Sequence, residues 1–308
     1  QNNPLRALLD KQDILLLDGA MATELEARGC NLADSLWSAK VLVENPELIR
    51  EVHLDYYRAG AQCAITASYQ ATPAGFAARD LDEAQSKALI GKSVELARKA
   101  REAYLAENPQ AGTLLVAGSV GPYGAYLADG SEYRGDYQRS AEEFQAFHRP
   151  RVEALLDAGA DLLACETLPN FAEIEALAEL LTAYPRARAW FSFTLRDSEH
   201  LSDGTPLRDV VALLAGYPQV VALGINCIAL ENTTAALQHL HGLTALPLVV
   251  YPNSGEQYDA VSKTWHHHGE ACATLAEYLP QWLAAGAKLI GGCCRTTPKD
   301  IAELNARR

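Results

Sequence analysis

Eight short apolar runs, separated by longer stretches with helical spacing of apolar residues, recur from one end of the chain to the other. They fall at roughly 13–18, 61–66, 113–118, 160–166, 188–194, 220–226, 246–251 and 287–292. Most are apolar throughout instead of alternating. That pattern marks parallel strands covered by helices on one side and a packed interior on the other. Helical spacing occupies residues 82–106, 140–158, 170–183, 231–241 and 270–285. Eight strands in alternation with helices predict an α/β fold of the (β/α)8 TIM-type barrel class, with residues 4–11 as a short cap. A doubly wound open sheet is the alternative. It is weakened because Asp18-Gly19-Ala20-Met21-Ala22-Thr23, after the first strand, is not a glycine-rich phosphate loop. No internal linker or low-complexity segment interrupts the pattern, so a single domain over 1–308 is expected.

Local signals agree. Asn45-Pro46, Thr205-Pro206 and Thr297-Pro298 each place a capping side chain before a proline at the first helical position, and Asp300 completes a capping-box variant with Thr297. Arg58-Ala59-Gly60-Ala61, Asp157-Ala158-Gly159-Ala160 and Ala284-Ala285-Gly286-Ala287 each end a helix and start a strand. Glycine suits the left-handed residue just past a helix end, which makes a tight αβ turn.

The net charge of −13 argues against a phosphate-backbone partner and is compatible with a cationic substrate. No apolar run approaches the roughly 18 residues that span a bilayer, and Gln1-Asn2-Asn3-Pro4 lacks the basic and apolar parts of a secretory signal. The missing initiator Met reads as a processed or trimmed N-terminus. The expectation is a cytoplasmic protein acting on small molecules, without nucleic acid or membrane, as a monomer or small homo-oligomer. The seven cysteines are odd in number and are not spaced as a disulfide framework.

In a barrel, chemistry sits where strands end. Those ends carry Asp18, Thr66 to Tyr69, Gly121-Pro122-Tyr123, Glu166-Thr167, Asn226-Cys227, Tyr251-Pro252-Asn253 and Cys293-Cys294. Cys227 ends the sixth strand, and Cys293 and Cys294 end the eighth. Only one strand lies between them, so the three thiols can meet around one ion, helped by the close approach that Gly291 and Gly292 allow. Three protein ligands with a fourth position open describe a catalytic zinc site. A thiol entering that position is deprotonated, whereas a free thiol with pKa of about 8.5 is mostly protonated at neutral pH. Asp18 and Glu166 are a carboxylate pair suited to an ammonium group. Thr66, Tyr69, Asn226, Tyr251 and Asn253 complete the candidate substrate contacts. Cys30, Cys63, Cys165 and Cys272 read as packing residues. His266-His267-His268 reads as a loop, since three consecutive side chains cannot all face one ion from a strand or helix. Trp265, Tyr123 and Tyr126 add aromatic surface either to the mouth or to ordinary packing.

These segments resemble the signatures of the homocysteine S-methyltransferases: Leu16 to Thr23, Ala164-Cys165-Glu166-Thr167, Gly224-Ile225-Asn226-Cys227, Tyr251-Pro252-Asn253-Ser254-Gly255-Glu256 and Gly291 to Pro298. The likeness runs from about residue 12 to the C-terminus. Within the family the chain most resembles bacterial members that use S-methylmethionine. The resemblance implies a barrel with zinc on Cys227, Cys293 and Cys294, homocysteine as acceptor, and a sulfonium donor (S-methylmethionine or S-adenosylmethionine). It also implies methionine as product, and it supports Asp18 and Glu166 at the acceptor's ammonium. Against that resemblance, the C-terminal extension of betaine-using relatives is expected to be missing, since one helix follows Cys294. Three rivals stand beside this reading: a thiol–disulfide oxidoreductase using Cys293 and Cys294, a zinc-storage barrel, and the same barrel with betaine as donor.

Overall fold

All eight apolar runs form strands of one parallel sheet in the structure, a computed structural model that describes residues 3–33, 36–255, 257–259, 264–266 and 273–308. The strands are Leu15–Leu16 (β1), Cys63–Ile65 (β2), Leu115–Val120 (β3), Leu162–Leu168 (β4), Ala189–Phe193 (β5), Val220–Asn226 (β6), Leu248–Tyr251 (β7) and Ala287–Ile290 (β8). Their spatial order is β1-β8-β7-β6-β5-β4-β3-β2. A parallel bridge between Leu17 and Cys63, with the Gln62 N–H donating to Leu16 O at 2.7 Å, joins the two ends of that order. The result is the (β/α)8 barrel.

Period two along each strand sorts side chains into two layers. Leu16, Ala64, Val116, Leu163, Phe191, Leu223, Val250 and Ile290 belong to the core between the strands and the helices. Leu15, Leu17, Cys63, Leu115, Ala117, Leu162, Ala164, Trp190, Ala222, Val249, Tyr251 and Leu289 fill the barrel interior. The N-terminal segment forms a helix, Pro4–Leu9, whose Leu5 and Leu8 pack into that interior cluster. Burial of a leucine side chain stabilises by about 1.5–3 kcal/mol.

The anticipated turns are present. Gly60, Gly159 and Gly286 have φ of 112°, 94° and 94°, the left-handed region that side chains disfavour. Thr297 and Asp300 form the capping box of the last helix, Pro298–Arg307. Two other caps differ. The Asn45 side chain makes no cap hydrogen bond to the helix Pro46–Ala59. Thr205 does not cap: its N–H donates to Asp203 Oδ1 and its carbonyl accepts from Leu201, so the helix begins at Leu207 with Pro206 as its cap. The helix Met21–Ala27 and the short antiparallel pair Leu195–Asp197 with His200–Leu201 have no counterpart among the sequence expectations. Among the described residues, no helix is long and apolar enough to cross a membrane.

Candidate functional site

The alternation that puts Ala164 and Leu162 inside the barrel also turns Glu166 inward at the end of β4. The same register brings Ser119, Ser192, Asn226 and Tyr251 to one inner layer. They form one hydrogen-bonded floor. Ser119 Oγ donates to Glu166 Oε2, and the Tyr251 hydroxyl donates to Glu166 Oε1 at 2.8 Å. Trp190 Nε1 donates to the Tyr251 oxygen at 3.0 Å, and Ser192 Oγ lies 2.9 Å from it. Asn226 holds Thr167 from both sides: its Oδ1 accepts from the Thr167 N–H and its Nδ2 donates to Thr167 Oγ1, each at 2.8 Å. That clamp fixes Thr167 at φ 59°, a left-handed conformation that a β-branched residue adopts only when its surroundings enforce it.

Asp18 leaves β1 beside this floor, with its Oδ2 accepting from the Ile65 N–H at 3.0 Å. Asp18 and Glu166 are both buried, and neither forms an ion pair with a described residue. Burial is the main cause that pushes the Asp18 carboxyl well above its usual range, and repulsion from Glu166 adds to it. Burial likewise raises Glu166, while its hydrogen bonds from Ser119 and Tyr251 work in the other direction. The charge of Arg151 also lowers Glu166, but neither carboxylate has an ion-pair partner among the described residues, an arrangement that suits a cation.

The thiols are assembled by β7, which lies between the strands that carry them. The Cys227 N–H donates to Tyr251 O at 3.1 Å and the Cys293 N–H to Pro252 O at 2.7 Å, so the end of one strand gathers both loops. Gly291 lets β8 press against β1, since a Cβ there would meet the Leu17 Cβ at 2.6 Å. Cys227 and Arg295 have positive φ, 50° and 66°. The sulfurs of Cys227, Cys293 and Cys294 all lie within 4.8 Å of one another. Cys227 and Cys293 are paired as a disulfide, with Cα atoms 5.5 Å apart, and Cys294 is free with its sulfur 4.0 Å from that of Cys227.

With all three sulfurs reduced, the donor set fits zinc. A metal–sulfur distance of about 2.3 Å in a tetrahedron separates sulfurs by about 3.8 Å, close to the 4.0 Å between Cys227 and Cys294. Among the described residues this is the one group of three or more Cys, His, Asp or Glu side chains placed to hold a metal ion.

Carboxylates and thiols line one cavity of about 430 Å³. Asp18, Thr66, Tyr69, Glu166, Asn226, Cys227, Tyr251, Cys293 and Cys294 are all on its wall. Thr66 is occupied there, since its Oγ1 accepts from the Ser119 N–H and lies 2.6 Å from Ser68 Oγ. Asn253 is not on the wall. Its N–H donates to Ile228 O at 2.9 Å, and its buried Oδ1 has no partner among the described residues. Tyr123 and Tyr126 pack on Phe147, with centroids 5.1 and 5.5 Å apart, and are also not on the wall. Cys63 and Cys165 are buried packing residues and Cys30 is half-buried. Glu256, His267, His268, Cys272 and the side chains of Trp265 and His266 lie outside the described residues.

The wall also holds residues that no sequence motif marked: Trp37, Ser38, Gln70, Glu132 and Tyr133. Behind it lies an unforeseen buried polar chain of Arg151, His148 and Glu173. Arg151 donates to the carbonyls of Tyr69 at 2.7 Å and Gly121 at 2.6 Å, and its partner His148 is 2.7 Å from Glu173. Arg151 thus ties together the loops after β2 and β3. The available signal was two charged residues on the inner side of helical patterns.

The family model "Homocysteine S-methyltransferase" matches residues 15–308. The homocysteine S-methyltransferase of Escherichia coli (strain K12) is 95% identical over 307 residues, covering 100% of this chain and 99% of that protein. Homocysteine S-methyltransferase YbgG of Bacillus subtilis (strain 168) is 53% identical over 311 residues, covering 99% and 97%. The crystal structure of the E. coli homocysteine methyltransferase MmuM in its metallated form superposes with a TM-score of 0.93 at 89% identity, covering 99% and 100%.

Proposed function

The chain belongs to the homocysteine S-methyltransferase family and transfers a methyl group to the thiol of homocysteine; we propose that the donor is a sulfonium compound and that Cys227, Cys293 and Cys294 hold a zinc ion beside the acceptor. The observation that carries this reading is the shared cavity. Two buried carboxylates without an ion-pair partner share its wall with three clustered thiols, which suits a ligand with an ammonium at one end and a thiol at the other. Homocysteine is such a molecule.

Cys227, Cys293 and Cys294 would hold the zinc, which would supply a Lewis acid that favours loss of an incoming thiol's proton at neutral pH. The protein's own groups do the rest. Asp18 and Glu166 bind the acceptor's ammonium, and Ser119 and Tyr251 hold Glu166 in place. Asn226 and Thr167 fix the main chain between the floor and Cys227. The thiol proton leaves to solvent, so neither carboxylate is needed as a base. The sulfur lone pair then forms the new S–CH3 bond while the donor's S–CH3 bond breaks. That bonding pair stays on the donor sulfur, which departs as a neutral thioether.

S-Methylmethionine is the first donor in this reading and S-adenosylmethionine the second. An acidic cavity with Trp37, Tyr69 and Tyr133 on its wall favours a cation. The test supplies zinc-loaded enzyme and homocysteine with S-methylmethionine, S-adenosylmethionine, betaine or methyltetrahydrofolate separately. Methionine should form with the two sulfonium compounds, S-methylmethionine leading. Turnover with betaine alone would overturn the donor assignment.

A further inference from the structure

Glu132 and Tyr133 sit in the 3-10 turn Ser131–Tyr133, on the wall of the same cavity. The main chain around them is firmly held. The Glu132 carbonyl accepts from Thr194 Oγ1 at 2.8 Å, and the Ser131 N–H donates to Asp129 Oδ1 at 3.0 Å. Asn170 Nδ2 donates to the carbonyls of Gly135 and Tyr137, both at 3.0 Å. A Cβ on Gly124 would meet the Glu132 nitrogen at 2.7 Å, so the neighbouring segment packs directly on the turn.

The carboxylate on this fixed backbone is uncommitted. Glu132 is half-buried, and its carboxylate, hydrogen-bonded to its own main-chain N–H, forms no hydrogen bond or ion pair with another described side chain. The adjacent cation, Arg134, is drawn to Asp129 at 3.7 Å and Asp136 at 3.2 Å instead. Glu132 and Tyr133 are also electrostatic neighbours of Cys294 and of Tyr69. An unpaired carboxylate and an aromatic ring therefore flank the cysteine cluster, apart from the Asp18 and Glu166 floor.

We propose that Glu132 and Tyr133 are the specificity-determining residues for the methyl donor: the sulfonium sits between the Glu132 carboxylate and the Tyr133 ring, with its methyl toward the cysteine cluster. This rests on the sulfonium-donor reading above and deepens it. The placement attracts the positively charged donor and releases the product, because methyl transfer leaves the donor sulfur neutral and removes its attraction to both groups.

The test measures binding of S-methylmethionine and of methionine, its uncharged thioether counterpart, to zinc-loaded wild type, Glu132→Gln, Tyr133→Leu and Glu26→Gln. The same proteins give KM for donor and for homocysteine. Glu132→Gln should weaken S-methylmethionine binding and raise its KM by about tenfold. Methionine affinity and the homocysteine KM should stay within about twofold. Tyr133→Leu should give a smaller loss in the same direction. Glu26→Gln, whose exposed residue also borders the cavity, should match wild type. Unchanged S-methylmethionine binding in Glu132→Gln, or equal losses for methionine and homocysteine, overturns the assignment while wild-type turnover keeps the donor reading. A wild type that binds no sulfonium compound sinks both together.

Discussion

The floor of the cavity and its rim are built by different means. On the floor, functional side chains stand on β3 to β7 with Asp18 just past β1, held by the Ile65 N–H, and Glu166, Ser192, Asn226 and Tyr251 each hydrogen-bond to another member of the layer. On the rim, Cys227, Cys293, Cys294, Glu132 and Tyr133 stand on loops and turns after strands, Cys227 and the flanking Arg295 carry positive φ, and the Glu132 carboxylate pairs with no other described side chain. Strand-borne groups locked by partners are held more closely than loop-borne ones. In the proposed reading, the unchanging part of the chemistry, an amino-acid head group, falls to the floor. The parts that must exchange, the acceptor's thiol and a departing donor, fall to the rim.

The largest effect should come from the rim thiols. Cys293→Ala should lose bound zinc and methyl transfer together, while homocysteine's ammonium site stays intact. A full metal complement with wild-type activity in that variant would break the division at its most important point.

Changes to the floor should be smaller and selective. Glu166→Gln and Asp18→Asn should each weaken homocysteine binding with zinc content near normal. A hydrogen bond to a charged group contributes about 1.5–3 kcal/mol, so one to two orders of magnitude in affinity are expected. Unchanged affinity in both would remove the carboxylates from the acceptor site. Asp18→Asn has a second signature. The unfolded chain releases the Asp18 proton near 3.8, whereas burial in the folded chain holds that proton to higher pH. The wild type therefore loses stability as pH rises through the folded pKa, and the loss is absent below the unfolded value. Unfolding measured against pH should show ligand-free Asp18→Asn more stable than wild type at neutral pH, the gain vanishing below about pH 4.

How much of this was legible beforehand follows the same line. All eight strands and the strand-end residues Asp18, Glu166, Asn226, Cys227, Tyr251, Cys293 and Cys294 were readable, because unbroken apolar runs locate strands and barrel topology says which end matters. Glu132 and Tyr133 were not, since they lie in a turn without periodicity, held by Thr194 from a distant part of the chain. The Arg151 brace was hidden for a related reason: its partners are main-chain carbonyls, which leave no trace in side-chain spacing. Thr205 failed as a cap because its backbone is claimed by Asp203 and Leu201, a local turn at Asp203-Gly204 that competes with the cap.

The central claim is that the three cysteines hold a zinc ion with one position left for the acceptor's sulfur. X-ray absorption at the zinc edge of reduced, zinc-loaded protein, recorded without and with homocysteine, tests it most directly. The account predicts three sulfur neighbours at about 2.3 Å without the substrate and four with it. A sulfur count that stays the same when homocysteine is added, or a fourth protein ligand already in place, would contradict it.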